Sequence, residues 1–324
     1  MKLIIETLRR IHTWPSYHLI YEWEDQLQKE MINSCFFYHS FYSNKIIRAH
    51  EILQLNGVAL DKNLHLFFEM LAEKKKNIFN RSNLIPIVID FFLSRKELMS
   101  FEKAHSHNPL VLITSLEAYE WLKKNECKLN IRHWPLSLPD KYRISPNTFH
   151  NKKYDFVLVG RQNSVLKSYL EKYVLENPNT IYVYEGNEKF HYYTNHGEYV
   201  GYIESREEYI SLMKLSRIGI YSTPGMDGSR QDTNLFNQVT PKFLEYIACG
   251  CHLLLRYPEN PDTHFYELNK FCPHIDSYLL FEKKVHYYLN HKPDLQMYEE
   301  YLSKHYTSER IKQIKSFFNE IVII

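Results

Sequence analysis

Thr240-Pro-Lys-Phe-Leu-Glu-Tyr-Ile-Ala-Cys-Gly-Cys-His-Leu-Leu-Leu-Arg256 holds a helix and a strand back to back. Thr240 is an N-cap type of residue. Pro241 suits the first helical position, where a missing N–H is no loss. The helix runs to Cys249, and Gly250 stops it, because glycine readily takes the left-handed conformation that ends helices. His252 to Arg256 is short and apolar, as a buried strand is. Leu244, Ile247, Ala248 and Cys251 form a face that can pack on a sheet. Lys242 and Glu245, three residues apart, share another face.

The same rhythm extends upstream. Tyr154 to Val159 reads as a strand, Gly160 as a turn, and Val165 to Leu175 as a helix. Thr180 to Tyr184 and Tyr199 to Ile203 read as strands. Ser205 with Glu208 is a capping box that opens a helix to about Ser216. Arg217 to Tyr221 is the next strand, and a glycine-bearing loop follows through Asn237. Asp294 to Glu320 is charged and helical. The first half also alternates. Helical spacing covers 20–33 and 46–55. Asn83 to Leu93 and Pro109 to Ser115 are apolar strands, Leu116 to Asn125 is a helix capped by Ser115, and Asn130 to Leu136 is a short strand. Pro139 to Lys153, with two prolines and no periodicity, reads as a linker. Two α/β domains joined by one linker create a cleft, and ligands of such sheets sit beyond the carboxyl ends of strands.

Composition narrows the possibilities. The chain has 324 residues, long enough for two domains, with 44% hydrophobic and 24% charged residues, which excludes a disordered chain. A net charge of +2 is too balanced for a dedicated nucleic-acid binder. The longest apolar run, Leu84 to Leu93, contains Asp90 and is too short to span a membrane, and the N-terminus lacks the pattern of a secretory signal. Five cysteines without a C-x-x-C pair read as reduced, mostly buried thiols. Of nine glycines, all but Gly57 lie between Gly160 and Gly250, which points to a binding surface in the second half. Lys2, Arg9 and Arg10 flank Leu3, Ile4, Ile5, Leu8 and Ile11. That pattern fits a domain-packing helix or a basic amphipathic helix on an anionic membrane.

Gly160-Arg161 follows a strand and precedes a helix. Glycine admits a ligand to the backbone, and arginine offers a planar fork for phosphate. Lys167 can add a second positive charge. The helix N-terminus at Thr240 presents free N–H groups and a positive dipole end, so with Lys242 it can meet phosphate. Glu245 can accept hydrogen bonds from vicinal hydroxyls such as those of a ribose.

Three pieces, in order, resemble the C-terminal half of GT-B glycosyltransferases, particularly family 4-like bacterial enzymes. Phe156-Val-Leu-Val-Gly-Arg161 is similar to their strand and Gly-Arg turn. Val200-Gly-Tyr-Ile203, the helix after it and Arg217-Ile-Gly-Ile-Tyr-Ser222 are similar to their base-binding turn and following strand. Pro241 to Gly250 is similar to their donor helix, written P-x-K-x-x-E-x-x-A-x-G or a close variant. The likeness runs from Tyr154 to Asn290, and more faintly over Leu110 to Leu138.

The resemblance implies an α/β fold of GT-B type, with two Rossmann-like domains facing each other across a cleft. Residues 1–145 would form the acceptor side and 146–324 the nucleotide-sugar side, with the last helix able to pack back on the first domain. It implies transfer of a hexosyl-type sugar from a UDP- or GDP-sugar to a glycan, free or lipid-linked, in surface polysaccharide or lipopolysaccharide synthesis. The location would be the cytoplasm or the inner face of its membrane. Arg161, Lys242 and Lys167 would neutralise the diphosphate beside Gly160 and Thr240. Glu245 would hold the ribose, and the backbone near Tyr202 and Ile203 would read the base. No metal, further cofactor or nucleic-acid partner is implied, and the chain has no Asp-x-Asp. One departure stands out. Many family 4 enzymes carry an acid eight positions before the helix glutamate, where this chain has Asn237, with Asp227 and Asp232 nearby. Acceptor-side candidates are Asp90 and His18, then His105 and His107. A dinucleotide-dependent oxidoreductase or epimerase is disfavoured, because no G-x-G-x-x-G follows a strand. A catalytically silent module that binds a glycan or a partner subunit stays open.

Overall fold

The computed structural model describes residues 2–39, 57–59, 61–75, 78–145 and 151–322, the last two by backbone alone. The helix expected over 46–55 lies outside the described residues. The chain divides into two compact units. One is Met1–Asp140 with Asp232–Phe236 and Tyr306–Ile324. The other is Lys141–Gln231 with Asn237–His305.

In the first unit, β1 (Leu3–Thr7), β2 (Ser34–Tyr38), β3 (Leu64–Leu71), β4 (Leu84–Asp90), β5 (Val111–Ile113) and β6 (Ile131–His133) form one sheet. Its order is β2-β1-β3-β4-β5-β6, and every neighbouring pair is parallel. β4 is buried from Leu84 to Ile89, as the apolar run predicts for a strand covered on both faces. The helices are α1 (Pro15–Glu30), α2 (Leu98–Ala104) and α3 (Leu116–Lys124). Ser115 caps α3 by accepting the Ala118 amide at 3.1 Å.

The N-terminus corrects an expectation. Leu3–Thr7 is a wholly buried strand, not an amphipathic helix. The Ile-Ile pair prefers the pleated surface, and β1 lies between β2 and β3 with no solvent-facing side. The basic helical face on which membrane contact was argued is therefore not formed. Arg9 instead reaches Glu24 and Asp25 of α1, at 2.9 and 2.8 Å. No helix among the described residues is long and apolar enough to cross a membrane.

In the second unit, β7 (Tyr154–Leu158), β8 (Tyr182–Glu185), β9 (His191–Thr194), β10 (Tyr199–Tyr202), β11 (Ser216–Ser222) and β12 (His252–Arg256) form a sheet in the order β10-β9-β8-β7-β11-β12. β7 is parallel to β8 and β11, and β11 to β12, whereas β9 is antiparallel to β8 and β10. The helices are α4 (Ser164–Glu176), α5 (Arg206–Lys214), α6 (Pro241–Ala248), α7 (Pro261–Phe265), α8 (Leu268–Phe271), α9 (Tyr278–Asn290) and α10 (Leu295–Leu302). The Ser205–Glu208 capping box forms. α6 sits close on the sheet because Gly219 of β11 leaves room. Any Cβ there would collide with the Tyr246 ring, whose phenol donates to the Val157 carbonyl at 3.0 Å.

Two segments depart from a single split at 145/146. Residues 232–236 lie in the first unit, because Phe236 packs edge-on against Phe91 and Trp121, at 5.5 and 5.6 Å between ring centroids. The long helix expected over Asp294–Glu320 is broken into α10 and α11 (Thr307–Val322). At the break, Tyr306 bridges Leu138 and the Thr307 amide donates to the Leu138 carbonyl at 2.9 Å. α11 is then fixed to the chain before the linker. Trp134 Nε1 donates to the Arg310 carbonyl at 3.0 Å, and Arg310 Nε donates to the Pro135 carbonyl at 3.1 Å.

Candidate functional site

The carboxyl ends of β7, β11 and β12 gather Arg161, Asp227, Asn237, Thr240, Lys242 and Glu245 from among the polar residues singled out in the sequence. Beyond β7 the chain turns at Gly160, whose φ of +61° is left-handed and whose Cα faces open space. Arg161 is exposed beside it. Lys242, in the first turn of α6, donates its ammonium to the carbonyls of Val159 (3.1 Å) and Arg161 (3.0 Å). The turn and the helix start are thus tied by one cation. Desolvation first, and the Arg161 charge second, bring the Lys242 pKa down to about 8, against a smaller opposing pull from Glu245.

Thr240 occupies the N-cap of α6, but its side chain does not cap. Its hydroxyl leans to the Tyr221 phenol oxygen at 3.4 Å, and its amide donates to the same oxygen at 2.9 Å. The expectation of a side-chain cap is corrected here. The buried Tyr221 outcompetes the first-turn amides, and the Thr240 side chain makes no capping hydrogen bond to the helix.

Glu245, expected to be available to a ribose, is buried and bound to Arg206 Nη2 at 2.7 Å. Arg206 opens α5, and its guanidinium lies 5.5 Å from the centre of the Tyr142 ring. Sequence reading missed Arg206. The available signal was a cation placed directly after the capping residue Ser205, at the turn that follows β10.

Asp227 lies in the loop after β11 with φ 54°. It accepts from Arg256 Nε (2.5 Å) and Nη2 (2.9 Å) and from Asn163 Nδ2 (2.8 Å). The hydrogen bond from Arg256 lowers its pKa. Asn163 also caps α4, accepting the amides of Val165 and Leu166. One carboxylate thereby pins the glycine loop to both the α4 cap and the end of β12. Asn237 is buried. Its Oδ1 accepts from the Thr223 hydroxyl at 2.8 Å, and its carbonyl accepts from Asn260 at 3.1 Å. Asp232 belongs to the other unit.

The remaining candidates lie apart. Lys167 is exposed on α4 with its ammonium 3.7 Å from Glu171. Tyr202, at the end of β10, is exposed and donates to Glu204 at 3.0 Å, and the Ile203 amide is spent on the Phe190 carbonyl at 2.7 Å. In the first unit, Asp90 ends β4 and His18 lies in α1 beside Tyr21, with ring centroids 6.2 Å apart. His105 is buried, with Nδ1 3.2 Å from Asn108 Oδ1 and Nε2 3.5 Å from Glu69, which marks it as structural. The His107 ring lies over Gly57.

Similarity to known proteins follows the same lines. Among the solved structures that match, three cover nearly the whole chain. Anabaena HepE, solved with UDP and glucose, has a TM-score of 0.58 at 9% identity and covers 99% of this chain and 100% of its own. Sucrose-phosphate synthase of Thermosynechococcus elongatus has a TM-score of 0.58 at 9% identity, covering 100% and 99%. The N-terminal domain of Candida albicans trehalose-6-phosphate phosphatase has a TM-score of 0.53 at 8% identity, covering 99% and 96%. These likenesses establish the fold: two α/β units on largely parallel sheets, as in GT-B glycosyltransferases. No protein of curated function matches by sequence. A glycosyl transferase-like family model matches residues 151–316, which spans just over half of the chain and contains the Arg161–Lys242–Glu245 cluster. By that match, this protein belongs to the glycosyl transferase-like family.

Proposed function

We propose that this protein transfers a sugar from a nucleoside-diphosphate sugar, held by the second unit, to a glycan acceptor. The observation that carries this reading is the Arg161–Lys242 pair at an uncapped helix N-terminus. Two cations and a positive dipole end converge on an open glycine turn. When the bond between the anomeric carbon and phosphate breaks, negative charge builds on the departing diphosphate. Groups already fixed in place stabilise that charge without reorganising. Arg161 supplies a planar fork and Lys242 a point charge, and neither role calls on a metal. Lys167 adds a more distant charge. Glu245, oriented by Arg206, takes the ribose hydroxyls, and the chain at Tyr202 and Ile203 borders the base. Asn237 hydrogen-bonds the donor sugar. Asp90 and His18 are the acceptor-side groups of the reading. Its setting is the synthesis of a surface polysaccharide or lipopolysaccharide at the cytoplasmic face, with a hexose as the transferred sugar. HepE was solved with UDP, so UDP-sugars come first in a donor panel, and GDP-sugars follow.

The test is slow hydrolysis of a panel of nucleotide sugars. Turnover of one donor that is lost in Lys242→Ala and Glu245→Ala supports the reading. Full activity in both folded variants overturns the site. A second reading, a binding module without turnover, draws on one observation: the Asn237 side-chain oxygen is already engaged by Thr223, and Asp227 by Arg256. Stabilisation by UDP without hydrolysis of any donor would favour it.

A further inference from the structure

The second sheet has a basic pocket at its other edge. Lys152 precedes β7, Arg217 opens β11 and His252 begins β12. With Tyr288, His291 and Lys292 they line an open pocket at the amino ends of the strands. Arg161 and Lys242 stand at the carboxyl ends, so the two clusters are on opposite edges of one sheet. Among the described residues that line the pocket there is no carboxylate. Outside the pocket lining, Asp155 Oδ1 forms a long ion pair with Arg217 Nε at 3.7 Å, and its other oxygen accepts the Ile181 amide.

We propose that this pocket is a second anion site and takes a phosphate-class oxyanion. Cations that line a common space repel one another until an anion enters, so the pocket gains by filling. Burial is the main cause that lowers the His252 pKa, against the hydrogen bond to the His291 carbonyl and with a smaller push from Lys152, so this ring is a neutral wall of the pocket and the cations are Lys152, Arg217 and Lys292. The groups around the pocket are held in advance. The His252 ring stacks on Tyr288 at 4.3 Å and 8°, and Nε2 is anchored on the His291 carbonyl at 2.8 Å. The His291 ring stacks on Tyr287 at 4.0 Å, and Nδ1 donates to the Tyr287 carbonyl at 2.8 Å, which fixes the ring at the pocket wall. Lys152 spends one donor on the Cys249 carbonyl that ends α6, and an ammonium carries three. Arg217 makes a long hydrogen bond of 3.4 Å to the Leu289 carbonyl, and its fork can close on two phosphate oxygens. Preset donors reduce the ordering cost of binding. A free phosphate, a phosphomonoester and a phospholipid headgroup share this chemistry.

The experiment follows the imidazole resonances of His252 and His291 by NMR while inorganic phosphate is added to the full chain, in parallel with sedimentation on phosphatidylglycerol and phosphatidylcholine vesicles. The imidazoles report on this pocket, so phosphate that also binds near Lys242 does not confuse the reading. Both resonances are expected to move in a saturable way. Affinity should fall roughly tenfold or more in an Arg217→Ala, Lys292→Ala double variant, the scale of lost charge-assisted hydrogen bonds. Arg217→Lys, which keeps the charge and loses the fork, should fall between. Phosphate-induced shifts without vesicle binding assign a soluble ligand. Binding to phosphatidylglycerol, absent with phosphatidylcholine and lost in the double variant, assigns a lipid headgroup. Resonances unmoved by both phosphate and anionic vesicles overturn the proposal, as does equal affinity in the folded double variant.

Discussion

Glu6 on β1 of the first unit and Lys242 on α6 of the second are both charged groups drawn out of water, and they are surrounded differently. Glu6 accepts from His39 Nε2 at 2.9 Å, His65 Nδ1 at 2.6 Å and Arg81 Nη2. Burial pushes its pKa up, but the two histidine hydrogen bonds and the Arg81 charge outweigh burial and hold it far below the usual carboxylate range. Among the described residues, Lys242 has carbonyl oxygens as its hydrogen-bond partners and a like charge, Arg161, beside it, while the nearby Glu245 is bound to Arg206. The first arrangement is complete within the chain and serves the fold. The second has no carboxylate hydrogen-bonded to its ammonium among the described residues, and under the proposed function an anion from outside completes it, which makes its cation the better candidate for function.

The sharpest way to break that comparison is to remove each charge in turn. Glu6→Gln should cost about 3–5 kcal/mol of stability in urea unfolding, because it leaves the buried Arg81 guanidinium uncompensated. Lys242→Ala should leave the urea midpoint near the wild-type value yet lower donor turnover by about 10²–10³, the scale for losing one group that stabilises developing charge. If Lys242→Ala unfolds the protein as Glu6→Gln does, or if turnover is untouched, the distinction between the two clusters fails.

A smaller effect is expected at Arg206. Arg206→Ala leaves the buried Glu245 carboxylate without this partner. It should cost about 1–3 kcal/mol of stability, with weaker binding of UDP in a calorimetric titration. Unchanged UDP affinity would remove Glu245 from the ribose role.

The smallest effect is a pH slope. The folded pKa of Lys242, about 8, lies below its ordinary value of 10.5. Between these values the unfolded chain binds more protons than the folded one, so this group makes stability rise as pH climbs through that window. The difference in melting temperature between wild type and Lys242→Met, followed across it, should show that rise in ligand-free protein. Pyrophosphate, by favouring the ammonium, should shrink it. A flat difference in both conditions would mean that the ammonium is not desolvated.

Much of the second unit could be read in advance because its signals are local. The Ser205–Glu208 box, Pro241 at a helix start, and Gly250 at a helix end each act within one turn of chain. The apolar run that became β4 was equally plain. Other features had no such signal. β9 is four residues long and antiparallel, in a setting that otherwise reads as parallel, and β2 is only partly buried. The helical period of the C-terminal stretch runs on through 303–306, so nothing local announces the break.

The sequence by itself determined the alternation of strands and helices, the glycine turn before Arg161 and the placing of Lys242 at a helix N-terminus. Spacing and capping are properties of neighbours along the chain. Only the tertiary structure decided that Arg206 closes on Glu245, that Asn237 is held by Thr223, that Phe236 joins the first unit and that Leu3–Thr7 is a buried strand. Each of these depends on which distant side chain offers the matching hydrogen bond or the matching volume. That choice is made by packing between segments far apart in sequence, and periodicity does not encode it.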